Sequence, residues 1–559
     1  MNKLKVIGFV LFLLLMAIPT MLAARFNVIL HAAAQSDSAY IYLPLVQREE
    51  ATPTPTATPT QTATAVPTQT PTHTATAAHT HTPTPTYTAT AVSTQTPTAT
   101  PITPSPPAGA VQLNPFDANV SDVYGPSYWL TRYGKSPEII VASDGTSLHV
   151  FAQDYDESTA ATAVLLHIEP NGNGYQISQA LSNIPLLDRV MGLAIDEDGN
   201  RYYATGVDED DVVDANYPPL DTYRNNVVRV VKLDPAGNVL FNIDLDLARH
   251  NFNNNAEMII NPMVAASSRL AVGGNEIALV HGINTDPDPN INNRRHQKAL
   301  STRLNATTGA VTRSSSVWVS HSFDQRLLYD GNGIIENHLG DAYPRYIVFA
   351  REHKSYPLFH IKGNLGANNT HTRLGNVALI ENDADYRYIA LFSTENTTSF
   401  NSVINGPRNL AIVRVKESDN SIDSSLPDSL TVSSNGESRT NRLRWLTTYS
   451  AASNLHAERP KLVAIGNDQY IVLWEEWQDT DQFLDTFNGV YGMVIDAQGN
   501  ILQNAKLLTD HHHLHRGDDA FFLDGKAAWM TGSTADKELR IHFVDSALNY
   551  HMTTIQLAP

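Results

Sequence analysis

Arginine and histidine recur at matched places along this chain. Arg132 (in LTRYGKSPE), Arg189 (LLDRVMG), Arg326 (HSFDQRLLY), Arg373 (THTRLGN), Arg459 (HAERPKL) and Arg516 (HRGDDAF) each stand just ahead of a short apolar run. In the last four a histidine comes first: His321, His371, His456 and His515. Acids lie within a few residues, namely Asp324, Glu458, Asp518 and Asp519. A guanidinium presents a planar fork of donors, so a ring of such groups suits an anionic or hydroxyl-rich ligand. A structural use fits the arginines equally well, because repeated arginines can bridge repeated elements through backbone carbonyls. The histidines, present at only four positions, fit a ligand better than a repeated pin.

Other stretches hold weaker chemistry. Trp474-Glu475-Glu476-Trp477 alternates indoles that can stack on a sugar, although tryptophans in strands more often pack in a core. Asp341 and Tyr343 (LGDAYPR) occupy the matching loop of another segment. His511-His512-His513-Leu514-His515 is rich in imidazole, yet neighbouring residues on a strand face opposite ways and do not converge on a metal. Asp196-Glu197-Asp198-Gly199-Asn200 is similar to a calcium loop but lacks the late bidentate Glu, Val207 standing there instead. Arg516-Gly517-Asp518 spells an integrin-type tripeptide, too short to carry weight. There is no Gly-x-Ser-x-Gly elbow, no His-Glu-x-x-His and no phosphate-binding glycine loop. No catalytic residue, metal site or cofactor is therefore assigned from sequence.

Composition narrows the partners. The 559 residues are 42% hydrophobic and 17% charged, enough for a large core. Residues 1–107 carry four basic and three acidic side chains, so residues 108–559 carry −20 of the chain's total of −19. No run of Lys and Arg offsets this, so nucleic acid is not an expected partner. The absence of cysteine excludes a disulfide framework, thiolate metal sites, a cysteine nucleophile and a lipid-modified cysteine.

The front of the chain concerns address rather than activity. Lys3 and Lys5 precede the apolar run Val6 to Leu15, with small residues to Ala24, which is the layout of a secretory signal. Cleavage is expected after Ala24 or within Ala32 to Ala34. An uncleaved anchor is the alternative and would be the only membrane contact. Residues 1–34 are thus a signal region, 35–50 a short apolar segment (YIYLPLV), and 51–107 a tract of little but Thr, Pro, Ala and Gln. Such a tract has no apolar surface to bury and is expected to be a disordered, extended stalk open to O-glycosylation. This front end resembles those of bacterial exported proteins, and implies a cell-surface or extracellular location.

Residues 108–559 read as all-β. Arg459 to Leu502 contains two successive hairpins, one turning at Gly466-Asn467-Asp468 and one at Ala497-Gln498-Gly499-Asn500. Similar double hairpins occupy 138–154 with 163–178, 190–206 with 227–243, 262–282 with 299–317, 326–337 with 345–362, 374–394 with 409–432, and 519–532 with 538–557. Seven copies of four short strands resemble a seven-bladed β-propeller, with no WD, Asp-box or kelch series to name a propeller family. A sandwich or two stacked β-domains is the alternative. The ring is expected to close by packing the seventh sheet on the first, or by an edge strand from Ser121 to Tyr133. Six of the seven copies carry the arginine, the third lacking one.

A stalk bearing a propeller implies a monomeric display module that binds a glycan or an extracellular protein. A propeller hydrolase or lyase acting on polysaccharide, and a purely structural envelope protein, are the rivals. The candidate ligand contacts are His321, Asp324, Arg326, Asp341, His371, Arg373, His456, Glu458, Arg459, Trp474, Trp477, His515, Arg516 and Asp518.

Overall fold

The computed structural model describes residues 139–154, 162–172, 174–182, 184–187, 189–206, 227–246, 260–263, 268–285, 297–317, 324–339, 346–351, 354–360, 372–396, 406–434, 437–479, 484–515, 519–533 and 538–556. All lie within Ser105–Pro559. The signal region, the stalk and the Ser121 to Tyr133 segment fall outside them.

The hairpins form because the turns are chemically specified. Four carry an aspartate whose carboxylate accepts from the backbone N–H of an asparagine four residues on: Asp196–Asn200, Asp234–Asn238, Asp496–Asn500 and Asp545–Asn549, at 2.8–2.9 Å. The asparagine side chain donates back to the second oxygen, and the Asp N–H closes the turn on the Asn carbonyl. The turn needs a left-handed residue, supplied by Gly199, Gly237 and Gly499 and in the last case by Leu548. The calcium-like DEDGN stretch is therefore one member of a turn series.

Each double hairpin becomes an antiparallel sheet. Seven sheets form, and six keep their strands in chain order. The first strands are Ile139–Ser143, Arg189–Ile195, Arg269–Gly273, Gln325–Tyr329, Thr372–Leu379, Leu455–Ala464 and Phe521–Leu523. Each packs beside the first strand of the next blade, and the last packs beside the first, so these strands enclose an axis. The fold is a seven-bladed β-propeller of four-stranded blades, with no helix among the described residues.

Two blades depart from the plain pattern. In blade 3, Ile260–Met263 adds a short extra pairing to the second strand, and the first strand begins at Arg269 rather than near Pro262. In blade 5, the stretch ending at Val432 is not the fourth strand. Glu437–Trp445 takes that place, pairing Ala411 with Trp445 and Ile412 with Arg444, and Asp428–Ser434 lies outside it. The chain leaves the third strand through a left-handed Asn420 and is held by Asp423 on Arg414, so the fourth position stays open for the later strand.

The core is divided among the blade interfaces. Each of the seven seams has its own buried apolar cluster, from the pair of blades 1 and 2 round to the pair of blades 7 and 1. At the closing seam Ile139, Val150 and Leu166 of blade 1 meet Leu523, Met530, Leu539 and Phe543 of blade 7. Ser143 Oγ donates to the Phe522 carbonyl, and Asp524 N–H to that of Gly145. Blade 7 keeps four strands of its own, and among the described residues it meets blade 1 through this packing and these two hydrogen bonds.

Candidate functional site

The arginines sit within the first strands, not ahead of them, and they share a geometry. Arg269, Arg326 and Arg373 each donate through Nη1 to the carbonyl of the preceding residue, Ser268, Gln325 and Thr372, at 3.0, 2.8 and 3.3 Å. The third blade therefore has its arginine, Arg269, and the triplets Ser268-Arg269-Leu270, Gln325-Arg326-Leu327 and Thr372-Arg373-Leu374 mark the series in sequence. A copy started at Pro262 misaligns the register and hides it.

In blade 6 the matching position is held by lysine. Positive-φ hairpin glycines Gly274, Gly331 and Gly466 follow Arg269, Arg326 and Lys461 by the same five residues. Arg459 instead occupies a bulge between Glu458 and Lys461, with φ 51°, where the strand register shifts. Its Nη1 donates to Glu475 at 2.8 Å and to the Leu514 carbonyl at 3.3 Å. Pro460 has no N–H to give the ladder, which is consistent with a bulge at this point.

Acids from other blades meet these cations. Asp519, at the entry to blade 7, lies 3.7 Å from Arg269 Nε and 3.1 Å from Arg326 Nε. Arg326 also binds Asp324 at 2.6 Å and reaches the Leu374 carbonyl of blade 5 at 3.0 Å. The Leu374 N–H in turn donates to Asp324 at 3.2 Å. In blade 6 the Leu462 N–H donates to Asn376 of blade 5, which repeats that pin. Glu458, buried, takes Arg373 at 3.3 Å and also binds Arg408 of the third strand of blade 5. These contacts cross from blade to blade and, through Asp519, from blade 7 to blades 3 and 4.

The electrostatics follow from burial. Burial by itself would raise the Asp519 carboxyl, but Arg326, Arg269 and Lys461, with a hydrogen bond from Asn376, hold it below the usual carboxylate range. Burial works against Glu475 as well, yet Arg459, His513 and Trp477 bring it down to about 2. His456 is lowered to about 3, first by burial and then by Arg408 and Arg373, so it is neutral, and its Nδ1 accepts from the Arg408 N–H. His515 is lowered to about 3 by burial, Lys461, Arg269 and Arg459. Neither imidazole acts as a cation at neutral pH.

The tryptophans belong to packing. Trp474 is buried in the seam of blades 5 and 6 and donates Nε1–H to Tyr449 at 3.0 Å. Trp477 is buried, donates to Glu475 at 2.7 Å and stacks on His513. The imidazole run disperses. His511 lies in solvent beside Asp510, His512 packs against His542, His513 against Phe487, and His515 lies buried, neutral, near Lys461, Arg269 and Arg459. Among the described residues no three His, Asp or Glu side chains are grouped to hold a metal. Arg132, His321, Asp341, His371, Arg516 and Asp518 lie outside the described residues, and Arg189 is described only as the start of its strand.

Of the series, Arg269 borders a cavity of about 120 Å³, lined also by Ser268, Asp519, Leu327, Phe521 and, from blades 1 and 2, apolar residues including Ile140 and Leu193. Gly192 is needed there, because a Cβ on it would lie 2.6 Å from that of Leu270. Sequence reasoning missed Arg269, Ser268, Lys461, Asn376 and Arg408. The Arg-Leu triplet was the one usable signal, and only for Arg269.

No protein-family model and no curated protein matches this chain. Solved structures with a similar fold include the β-propeller domain of the trilobed protease from Pyrococcus furiosus, at 9% identity over 75% of this chain and 95% of that one, TM-score 0.34. A protein of unknown function from Dyadobacter fermentans matches at 6% identity over 76% and 94%, TM-score 0.32. A Trypanosoma rangeli sialidase matches at 12% identity over 64% of this chain and 53% of that one, TM-score 0.33. Likenesses this distant carry no argument about activity, and the chain is placed by its own architecture as a seven-bladed propeller.

Proposed function

We propose that this chain is an exported propeller module, displayed on a stalk or secreted, that binds an extracellular glycan or protein at the arginine-bearing mouth of its ring. The observation that carries this reading is the axial cluster. Among the described residues, Arg269, Arg326, Arg459 and Lys461 gather with Asp324, Asp519 and Glu475, four cations against three carboxylates on a strongly acidic domain. The Asp519 side chain keeps 27% exposure, so the cluster meets solvent. A locally cationic spot in an acidic field favours ligands that present oxygens.

A hydrolase or lyase has less support. A general acid at neutral pH needs a carboxyl pushed upward, whereas Glu336, Glu475 and Asp519, carboxyl groups buried among the cations, are all shifted down. A glycan-array screen of the full chain, run beside polysaccharide turnover assays, tests the reading. Saturable binding that Lys461→Gln weakens supports it. Turnover would favour the hydrolase or lyase, and silence in both assays for glycans and extracellular proteins would favour a structural role.

A further inference from the structure

We infer that the axial cavity is a binding site for a small oxyanion, an inorganic one or the carboxylate of an acidic sugar, held by Arg269 and Ser268. Two observations converge on it. Ser268 and Arg269 are both more than nine-tenths buried and both line the cavity. Yet Ser268 Oγ and Arg269 Nη2 have no hydrogen-bond partner among the described residues. Leaving a buried donor unpaired costs about 1–3 kcal/mol, and more for a charged group, so such donors normally face something.

The guanidinium is already divided. Nη1 is tied to the Ser268 carbonyl, and Nε faces Asp519 at 3.7 Å, which leaves Nη2 for the cavity. Asp519 does not make the site anionic, because Arg326 and Lys461 act on it as well as Arg269. An incoming anion would bring that group of charges closer to balance. At roughly 30 Å³ per water the cavity takes about four waters, or one tetrahedral oxyanion, or a carboxylate with a water or two. The side chains of Ile140, Leu193 and Leu270 that also line the cavity are apolar and suit the carbon side of a sugar acid better than a second charge.

This inference deepens the ligand-binding reading and rests on it only for the sugar acid; an inorganic anion would bind whether or not the module displays a glycan site. The test titrates the full chain with inorganic phosphate, sulfate and glucuronate against chloride at matched ionic strength, following the thermal midpoint and, for phosphate, the ³¹P line width. The expected result is a midpoint that rises with oxyanion and not with chloride. Arg269→Gln should weaken binding about 10- to 100-fold and Ser268→Ala about tenfold, since each removes a hydrogen bond to a charged group. If Arg269→Gln fails to fold, Ser268→Ala still decides the matter. Phosphate binding without glucuronate binding assigns the site to a free anion, and binding of both assigns it to the carboxylate class. Equal midpoints in chloride and oxyanion would overturn the inference in favour of water alone, as would unchanged affinity in Ser268→Ala. Glycan binding that ignores both substitutions would leave the proposed function standing without this site.

Discussion

The seam between blades 7 and 1 and the seam between blades 3 and 4 do the same job with opposite chemistry. The first has an apolar interior, with Ile139, Val150, Leu166 and Ile168 against Leu523, Met530, Leu539 and Phe543, and Tyr175 stacked on Phe543 at 5.5 Å, its hydrogen bonds lying at the strand ends. Among the described residues the second has Val280, Ala299 and Leu327 in its apolar cluster. What fills it is a buried polar network. Glu336 binds Arg303, accepts from Ser301 at 2.5 Å and meets His338 at 2.8 Å, while Arg303 also reaches the Ile334 carbonyl and Glu276. An apolar seam tolerates small displacements because its attraction is non-directional. A polar seam holds only when every partner is in place, so it fixes how one blade sits on the next.

The largest expected effect separates the two seams by charge. Glu336→Ala takes from Arg303 the closer of its two carboxylate partners, leaving Glu276 at 3.3 Å, and should cost about 3–5 kcal/mol in chemical denaturation. Glu336 is lowered to about 2, because His338, Arg303 and Ser301 outweigh the burial that would raise it. Its contribution is therefore present above the unfolded pKa near 4.5 and is lost as pH falls towards 2. The pH dependence of stability across that window should flatten in Glu336→Gln.

Next comes Leu539→Ala, which opens a cavity in the closing seam and should cost about 2–4 kcal/mol. Its loss should show no matching change in pH or salt dependence. If it reshapes the acid limb as Glu336→Gln does, the two seams are not chemically independent.

Arg326→Ala tests the axis against both seams. It removes the bridge from Asp324 to Leu374 and Asp519, but Asp519 keeps 27% exposure and water can reach it. The expected cost is about 2–3 kcal/mol, less than for Glu336. A loss near zero would mean that the axial arginines serve a ligand and not the ring.

The smallest effect belongs to Arg229 and Asp244, paired at 2.7 Å on the outer face of blade 2 with side chains 22% and 51% exposed. Arg229→Ala should change stability by less than about 1 kcal/mol, and salt should erase most of that. A larger loss would place this pair with the buried seams.

The sequence by itself determined the fold class, the number of blades and most strand positions, because these are local facts. Strand alternation and the Asp-to-Asn turns are written within a few residues of one another, and seven repeats of one unit leave few ways to bury every sheet face. It also showed that arginines recur near the start of a blade. Tertiary structure decided the rest, since it depends on residues far apart in the chain. That Arg269 completes the series needed the register of blade 3, and that Lys461 rather than Arg459 takes the place in blade 6 needed the bulge at Pro460. Asp519 binding Arg269 and Arg326 joins residues some two hundred positions apart. The fourth strand of blade 5 was misplaced from sequence because Asp428–Ser434 and Glu437–Trp445 both form strands, and only pairing with Ala411 and Ile412 chooses between them. Whether a charged side chain is pinned or left facing a cavity is likewise set by partners from other blades, which no local pattern encodes.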